Sequence, residues 1–404
     1  MRSQVNNRKI LLRIVNEVLK EISPKYLFKT AFRKMDLSPF RHIVIFSIGK
    51  ASKSMAQAVI KTLPRKPDEV LFADAGHPFP TQEGMKKTQK IMRSAQTLSE
   101  KDIAIVLISG GGSAMLVSPA HGITLADKIN ITKSLLKCGA PIQEINIVRK
   151  HLSQVKGGRL ASLLYPATVW GIVISDVVGN DLGTIASGPL SPDKSTFADA
   201  IRILKKYRIR APQRVLHYLE QGKNSLNLET PKPGEKYFEK VYIKILADHH
   251  TVAQQAAEKA KKMGLKTTIL KQAVIGEAQN ASKSFIKHAK KNRLLTGFGE
   301  TTVTVHGKGY GGRNQEFVLS GLKFLKKNQT LISIGTDGVD GMCPEPIAGA
   351  IADASTLEKA KKLKLNIDAF LRQNNSYAFF KKTNGLIKTG PTGTNLGDLM
   401  LLLS

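Results

Sequence analysis

Long apolar runs are missing from this 404-residue chain. No segment approaches the ~18 consecutive apolar residues that suggest a membrane-spanning helix, and the run Ile103–Ile108 has only the length of a buried strand. No membrane partner is therefore expected. Cysteine is nearly absent. Cys138 and Cys343 lie far apart with no CxxC pair or histidine cluster, which argues against a disulfide framework and a structural zinc site and makes the cytoplasm the simplest location. Aromatic residues make up only 6% of the chain, and acidic residues are scarce, 31 against 62 lysines and arginines, for a net charge of +31. Such a charge invites a nucleic-acid reading, because phosphate contacts dominate non-specific affinity. The basic residues are instead dispersed along polar helix faces, as in Glu258–Lys262 and Lys287–Arg293, with no zinc-finger or RNP-like pattern. No specific nucleic-acid partner is expected, and the positive field favours small anionic substrates.

What is present is the make-up of a globular protein: 42% hydrophobic residues in a chain long enough for two domains. Near the start, Leu11, Ile14, Val15, Val18 and Ile22 recur with helical spacing, which predicts an amphipathic helix rather than a signal peptide. Further along, apolar strand, glycine turn and helix alternate, the pattern of βα units feeding mostly parallel sheets. Strands are expected at His42–Ile48, Ile103–Ile108 and Thr168–Ile174, and helices at Lys50–Lys61, Thr124–Lys137 and Ile142–Leu152. Composition turns polar around Gln221–Lys236. The expected division is therefore an N-terminal α/β domain over 1–225, a linker at 226–240 and a C-terminal α/β domain over 241–404.

Candidate chemistry collects at strand ends, where doubly wound sheets bind ligands. Gly49-Lys50 puts a cation at a strand-to-helix turn, suited to a phosphate or carboxylate. Ser109-Gly110-Gly111-Gly112-Ser113 leaves backbone amides unshielded by side chains, as an anion-binding nest requires. Asp176 and Asp181, with Asp193 further on, place acids around the end of the third strand, able to hold Mg²⁺ or accept a proton. Helix caps and turns use the same residues for structural ends. Gly307-Lys308-Gly309-Tyr310-Gly311-Gly312 fits the GxGxxG dinucleotide fingerprint between an expected strand and helix, which keeps an NAD(P) enzyme open. Asp337 and Asp340 form another acidic turn, and Thr389–Asn395 is a loop rich in hydroxyls and amide.

Eight stretches in order together resemble the type II glycerate kinases with their MOFRL domain: Ser47–Met55, Ala75–Gly84, Ser109–Pro119, Gly139–Ala161, Ser175–Asp193, Gly299–Glu316, Ser333–Gly341 and Thr389–Leu399. The resemblance implies two Rossmann-like three-layer α/β/α domains with mostly parallel sheets and an interdomain active-site cleft. It implies ATP-dependent phosphorylation of D-glycerate, most often at the 2-hydroxyl, with Mg²⁺; a homodimer is compatible with it. The positions matching the family's active-site cations are Lys50 and Arg313, and a lysine and an arginine there would bind the glycerate carboxylate or stabilise charge on the transferred group. On this reading Ser109, Gly110, Gly111, Gly112, Ser113 and Asn395 bind ATP, Asp176, Asp337 and Asp340 hold the metal, and Asp181 is catalytic. The family has also carried the label hydroxypyruvate reductase, the alternative activity. The chain departs from the family pattern at Gly179-Asn180-Asp181, at 342–350 and at Ala247-Asp248-His249-His250.

Overall fold

The computed structural model describes residues 2–29, 32 and 35–404. They divide into two compact units: 28–246 forms one, and 1–27 joins 247–404 in the other.

The 28–246 unit is built on a five-stranded sheet of β1 (Ile43–Ile48), β2 (Glu69–Ala73), β3 (Ile103–Ile108), β4 (Thr168–Ile174) and β5 (Val241–Ala247), in the order β2-β1-β3-β4-β5. β1 pairs in parallel with β2 and β3, and β3 with β4. Every residue of β1 and β3 is buried, as central parallel strands covered on both faces must be. From β1 the chain adds β2 on one side and β3 on the other. That reversal is the topological switch point at which doubly wound sheets open a crevice beyond their carboxyl ends.

The other unit carries β6 (Lys266–Ile269), β7 (Val274–Glu277), β8 (Arg293–Thr302), β9 (Thr330–Gly335), β10 (Gly349–Asp353), β11 (Leu386–Ile387) and β12 (Asp398–Leu403). The order is β11-β10-β9-β12-β8-β6, with β7 also on β8. The expected mostly parallel sheet is not found here. β12 runs antiparallel between β8 and β9, β10 is antiparallel to β9 and to β11, and only β6 and β7 lie parallel to β8. Local strand–helix alternation cannot reveal this, because β12 reaches the middle of the sheet through a loop rather than a crossover helix.

The division also differs from the expected one at both ends. The N-terminal helix Arg2–Glu21 belongs with residues 247–404, buries Leu11, Ile14, Val15 and Val18, and packs on the helix His249–Lys262. Lys259 pairs with Glu21, and Arg8 with Asp353 at 2.5 Å. The expected linker, 226–240, is part of the first unit. Glu229 accepts from His151 Nε2 at 3.0 Å and from the Phe197 amide at 3.2 Å, and the buried Thr230 hydroxyl donates to Asp193 at 3.2 Å. Its polar composition reflects anchoring, not freedom. Asp248, in one of the stretches that depart from the family, caps the His249–Lys262 helix by accepting from the Thr251 amide and hydroxyl.

Candidate active site

The register of β1, β3 and β4 brings three sequence-distant motifs together. Ile48 stands opposite Ile108, and Ile108 opposite Val173, so Gly49-Lys50, Ser109–Gly112 and Ser175-Asp176 all emerge at one end of the sheet. They are bonded to one another there. The Lys50 amide donates to the Gly110 carbonyl at 2.9 Å. The Ser109 hydroxyl donates to the Ile48 carbonyl and accepts from the Ala51 amide, both at 3.1 Å. Gly49 takes φ 106°, and a Cβ there would collide with Ser109 and the Gly110 carbonyl; a Cβ on Gly110 would collide with the Asp176 carboxylate. These two glycines allow the approach of loop to loop that makes the corner. Gly111, at φ 82°, lies against the Lys50 stem and the His77 ring. Burial and the Lys50 charge both lower the His77 pKa. Lys50 itself is exposed.

From this corner a polar chain runs inward. The Ser113 hydroxyl meets that of Ser187 at 3.0 Å, and Ser187 donates to Asn146 Oδ1 at 3.0 Å. Beside it lies a cavity of about 200 Å³ whose lining includes Gly111, Ser113, Lys128, Arg149 and Lys156. Lys128 and Lys156 are only 6% and 2% exposed. Burial, reinforced by Arg149 and Arg159, pushes the Lys128 pKa down to about 7; burial with Lys128 and Arg149 nearby takes Lys156 well below its ordinary value. Sequence reasoning passed over these cations. Lys128 occupies the buried phase of the helix Leu125–Lys137, in register with Leu125 and Ile131, and a lysine on an apolar stripe was the signal available.

The remaining expected acids of this unit have structural partners. Asp181 is exposed and accepts from the Gly183 amide at 3.2 Å and from the Thr184 hydroxyl at 2.5 Å, fixing the turn after β4. Asp193 pairs with Lys150 at 3.2 Å and accepts from Ser195 and Thr230.

The other candidates lie in the second unit. Arg313 opens the helix Arg313–Gly321 and grips Asp398 in a fork, Nε at 2.7 Å and Nη2 at 3.0 Å, while Nη1 reaches Glu300 at 2.6 Å. Glu316, three positions along the same helix, is buried and bonded to Gln279 and Asn374. Burial alone would lower the Arg313 pKa, but Asp398 holds it raised; burial raises that of Asp398 against the pull of Arg313. Asp340, expected among the metal ligands, is engaged by the start of the same helix. Its oxygens accept from the amides of Asn314 and Gln315 at 2.9 Å and from both side chains, capping that helix. Burial lifts its pKa to about 6 even so. Asp337 accepts from the Val339 amide at 3.1 Å, and Asn395 Oδ1 from the Gly397 amide at 3.1 Å. Among the described residues no three His, Cys, Asp or Glu side chains gather as a metal cage.

The GxGxxG segment has no phosphate cradle. The amides of His306 and Gly307 donate to Asn374 Oδ1 at 2.8 and 2.9 Å, that of Gly309 to the Gln373 carbonyl at 2.9 Å, that of Tyr310 to Asn375 Oδ1 at 3.3 Å and that of Gly311 to the Met342 carbonyl at 3.0 Å. A Cβ on Gly307, Gly309 or Gly311 would strike residues 373–376, and one on Gly312 would strike Asp340. The glycines serve loop packing, and the amides a pyrophosphate would need are already bonded, including those at the start of the following helix.

Comparison with known proteins shows what the chain is similar to. Residues 10–220 match a family described as a domain of unknown function (DUF4147), and residues 293–398 match the MOFRL family. A D-glycerate 2-kinase of Thermotoga maritima is 36% identical, the alignment covering 98% of this chain and 97% of that protein. A protein of Agrobacterium vitis that carries a provisional hydroxypyruvate reductase name is 35% identical over 99% of this chain and 95% of its own length. The crystal structure of a Thermotoga maritima glycerate kinase superimposes with a TM-score of 0.87 at 36% identity, covering 98% of this chain and 99% of that one.

Proposed function

The chain belongs to the type II glycerate kinase family, and we propose that it works as one through the corner formed by Gly49-Lys50, Ser109–Ser113 and Asp176. It is an enzyme that phosphorylates glycerate, and the 2-hydroxyl of D-glycerate is the acceptor. That activity implies ATP as the phosphate donor. The reading rests most on one observation: three parallel strand ends deliver a cation, a triple-glycine loop and a carboxylate to a topological switch point.

Phosphoryl transfer asks little covalent chemistry of a protein and much positioning and positive charge. The Gly110–Gly112 backbone, with Ser109 and Ser113, would cradle ATP phosphates, because glycine lets an anion approach the main chain. Lys50, exposed on a fixed backbone, would stabilise charge on the transferred group. Asp181, exposed on the loop after β4, is our candidate to accept the hydroxyl proton. In the second unit Arg313 is held rigidly by Asp398, and we assign it an active-site role with its remaining edge. Asn395 belongs to our reading only as a nucleotide contact.

Magnesium typically uses one or two carboxylates plus phosphate oxygens, and Asp176, against Gly110, fits that donor set. Asp176 would hold the ion, which would neutralise charge between the phosphates. The two cysteines are free thiols, in keeping with a reducing cytoplasm. Among the described residues no helix is long and apolar enough to cross a membrane.

The reductase alternative is disfavoured by the bonded amides of the GxGxxG segment. Incubation with ATP, Mg²⁺ and D-glycerate should give 2-phosphoglycerate by phosphorus NMR, and ATP, not NADH, should raise the melting temperature. NADH-dependent reduction of hydroxypyruvate without phosphoglycerate formation would overturn the reading.

A further inference from the structure

The three cations behind the glycine loop stand out for what surrounds them. Elsewhere in the same unit a buried lysine is neutralised in place: Lys150 meets Asp193 at 3.2 Å. For Lys128 the charged neighbours that matter are Arg149 and Arg159, and for Lys156 they are Lys128 and Arg149. All are cations. Lys128 Nζ is fixed by donating to the carbonyls of Leu152 at 2.6 Å and Arg149 at 3.2 Å, and Lys156 Nζ reaches the Ala186 carbonyl at 3.4 Å. Carbonyl dipoles orient these ammonium groups without cancelling their charge. Burying unpaired charge costs several kcal/mol per ion, and such arrangements mark functional sites more often than stable cores.

A cavity lies between them. Its volume of about 200 Å³ falls below the ~300–1,000 Å³ of pockets that enclose drug-sized ligands. It has room for an acid of a few heavy atoms. Gly111 and Ser113 form part of its wall, so whatever enters it touches the same loop that the kinase reading gives to phosphate.

We propose that the cavity between Lys128, Arg149 and Lys156 is the carboxylate subsite of the acceptor, a small 2-hydroxy acid. The cations take the carboxylate, and the carbon next to it brings its hydroxyl towards Gly111 and Ser113. The subsite therefore selects both the charge of the acceptor and the hydroxyl adjacent to that charge. Neutral three-carbon polyols and amides lack the group the pocket is built to balance. The inference rests on the kinase reading for the identity of the acid, but its test does not.

The experiment is calorimetric titration of D-glycerate, glyceramide and ATP into the wild-type chain and into Arg149→Met and Lys128→Met, with KM values for both substrates and a melting curve for each protein. Loss of one charge-assisted contact should weaken D-glycerate binding at least about tenfold while leaving ATP within about threefold. Glyceramide should not bind. Lys128→Met should also melt higher than wild type without ligand, because it removes an unbalanced buried charge, whereas a merely structural lysine would leave the variant less stable. Unchanged D-glycerate affinity in both variants would sink the proposal, as would a loss confined to ATP, which would make the pocket a nucleotide-phosphate site. Wild-type protein that binds D-glycerate through these residues but makes no phosphoglycerate would leave the subsite standing and remove the kinase reading. Normal turnover with unaltered glycerate KM in the variants would do the reverse.

Discussion

The Lys50 amide is hydrogen-bonded to the Gly110 carbonyl at 2.9 Å, so the backbone beneath the proposed active-site cation is fixed to the loop proposed to cradle phosphate. The side chain itself is exposed. Its removal should therefore damage chemistry and spare folding. In Lys50→Ala, kcat/KM should fall by about 10²-fold or more, equivalent to ~2.7 kcal/mol of transition-state stabilisation, with the melting temperature nearly unchanged. Steady-state kinetics with ATP and D-glycerate decide it; near-normal turnover would leave Lys50 a surface residue.

The contact between Gly110 and Asp176 gives a paired test. Alanine at 110 places a methyl group on the Asp176 carboxylate, so Gly110→Ala should lower both stability and activity. Replacing Asp176 with glycine in the same chain makes room for the methyl group. The double variant should regain most of the melting temperature and none of the activity. Recovery of activity would show that Asp176 is dispensable.

Arg313 has two duties that separate experimentally. Asp398 is fully buried, and removing its guanidinium partner should cost about 3–5 kcal/mol, as for other broken buried pairs, somewhat offset because Arg313 is partly exposed. Arg313→Ala should thus melt well below wild type, and Arg313→Ala with Asp398→Asn should recover much of the loss. Arg313→Lys keeps the charge but not the fork, so its turnover should fall more than its stability. Full activity in the lysine variant would confine Arg313 to a structural role.

Stability should depend on pH through Lys128. Its folded pKa of about 7 lies below the ~10.4 of an unfolded lysine, so between these values the unfolded chain binds more protons and stability rises with pH. The contribution is absent below pH 7 and complete above ~10.4. Arg149, Arg159 and Lys156 face Lys128 and keep its pKa low. Denaturant unfolding from pH 7 to 9 should therefore show a positive slope that Lys128→Met diminishes. Saturating D-glycerate should diminish it too, by supplying the missing negative charge. Identical slopes in wild type and variant would mean that Lys128 stays charged in the folded protein.

Much of the first unit was legible without coordinates. Its central strands are continuous apolar runs, and β3 and β4 fall where the sequence placed them, because a parallel strand buried on both faces leaves a contiguous apolar record. The same local chemistry announced the triple glycine and the turn at Gly49. Tertiary structure alone decided what non-local pairing decides. The register of β1, β3 and β4 put Lys50, Gly110 and Asp176 in one corner, and β12 entered the second sheet antiparallel between β8 and β9. The GxGxxG string shows why a motif is not a site: its glycines are present, but contacts with residues 373–376 occupy the amides the fingerprint depends on. Lys128 shows the converse. Its sequence gives a lysine on a helix, and only the packing of that helix beside Arg149 and Lys156 makes it one of two buried lysines that line a cavity with an arginine, because the cost of burying a charge depends on the distant residues that surround it.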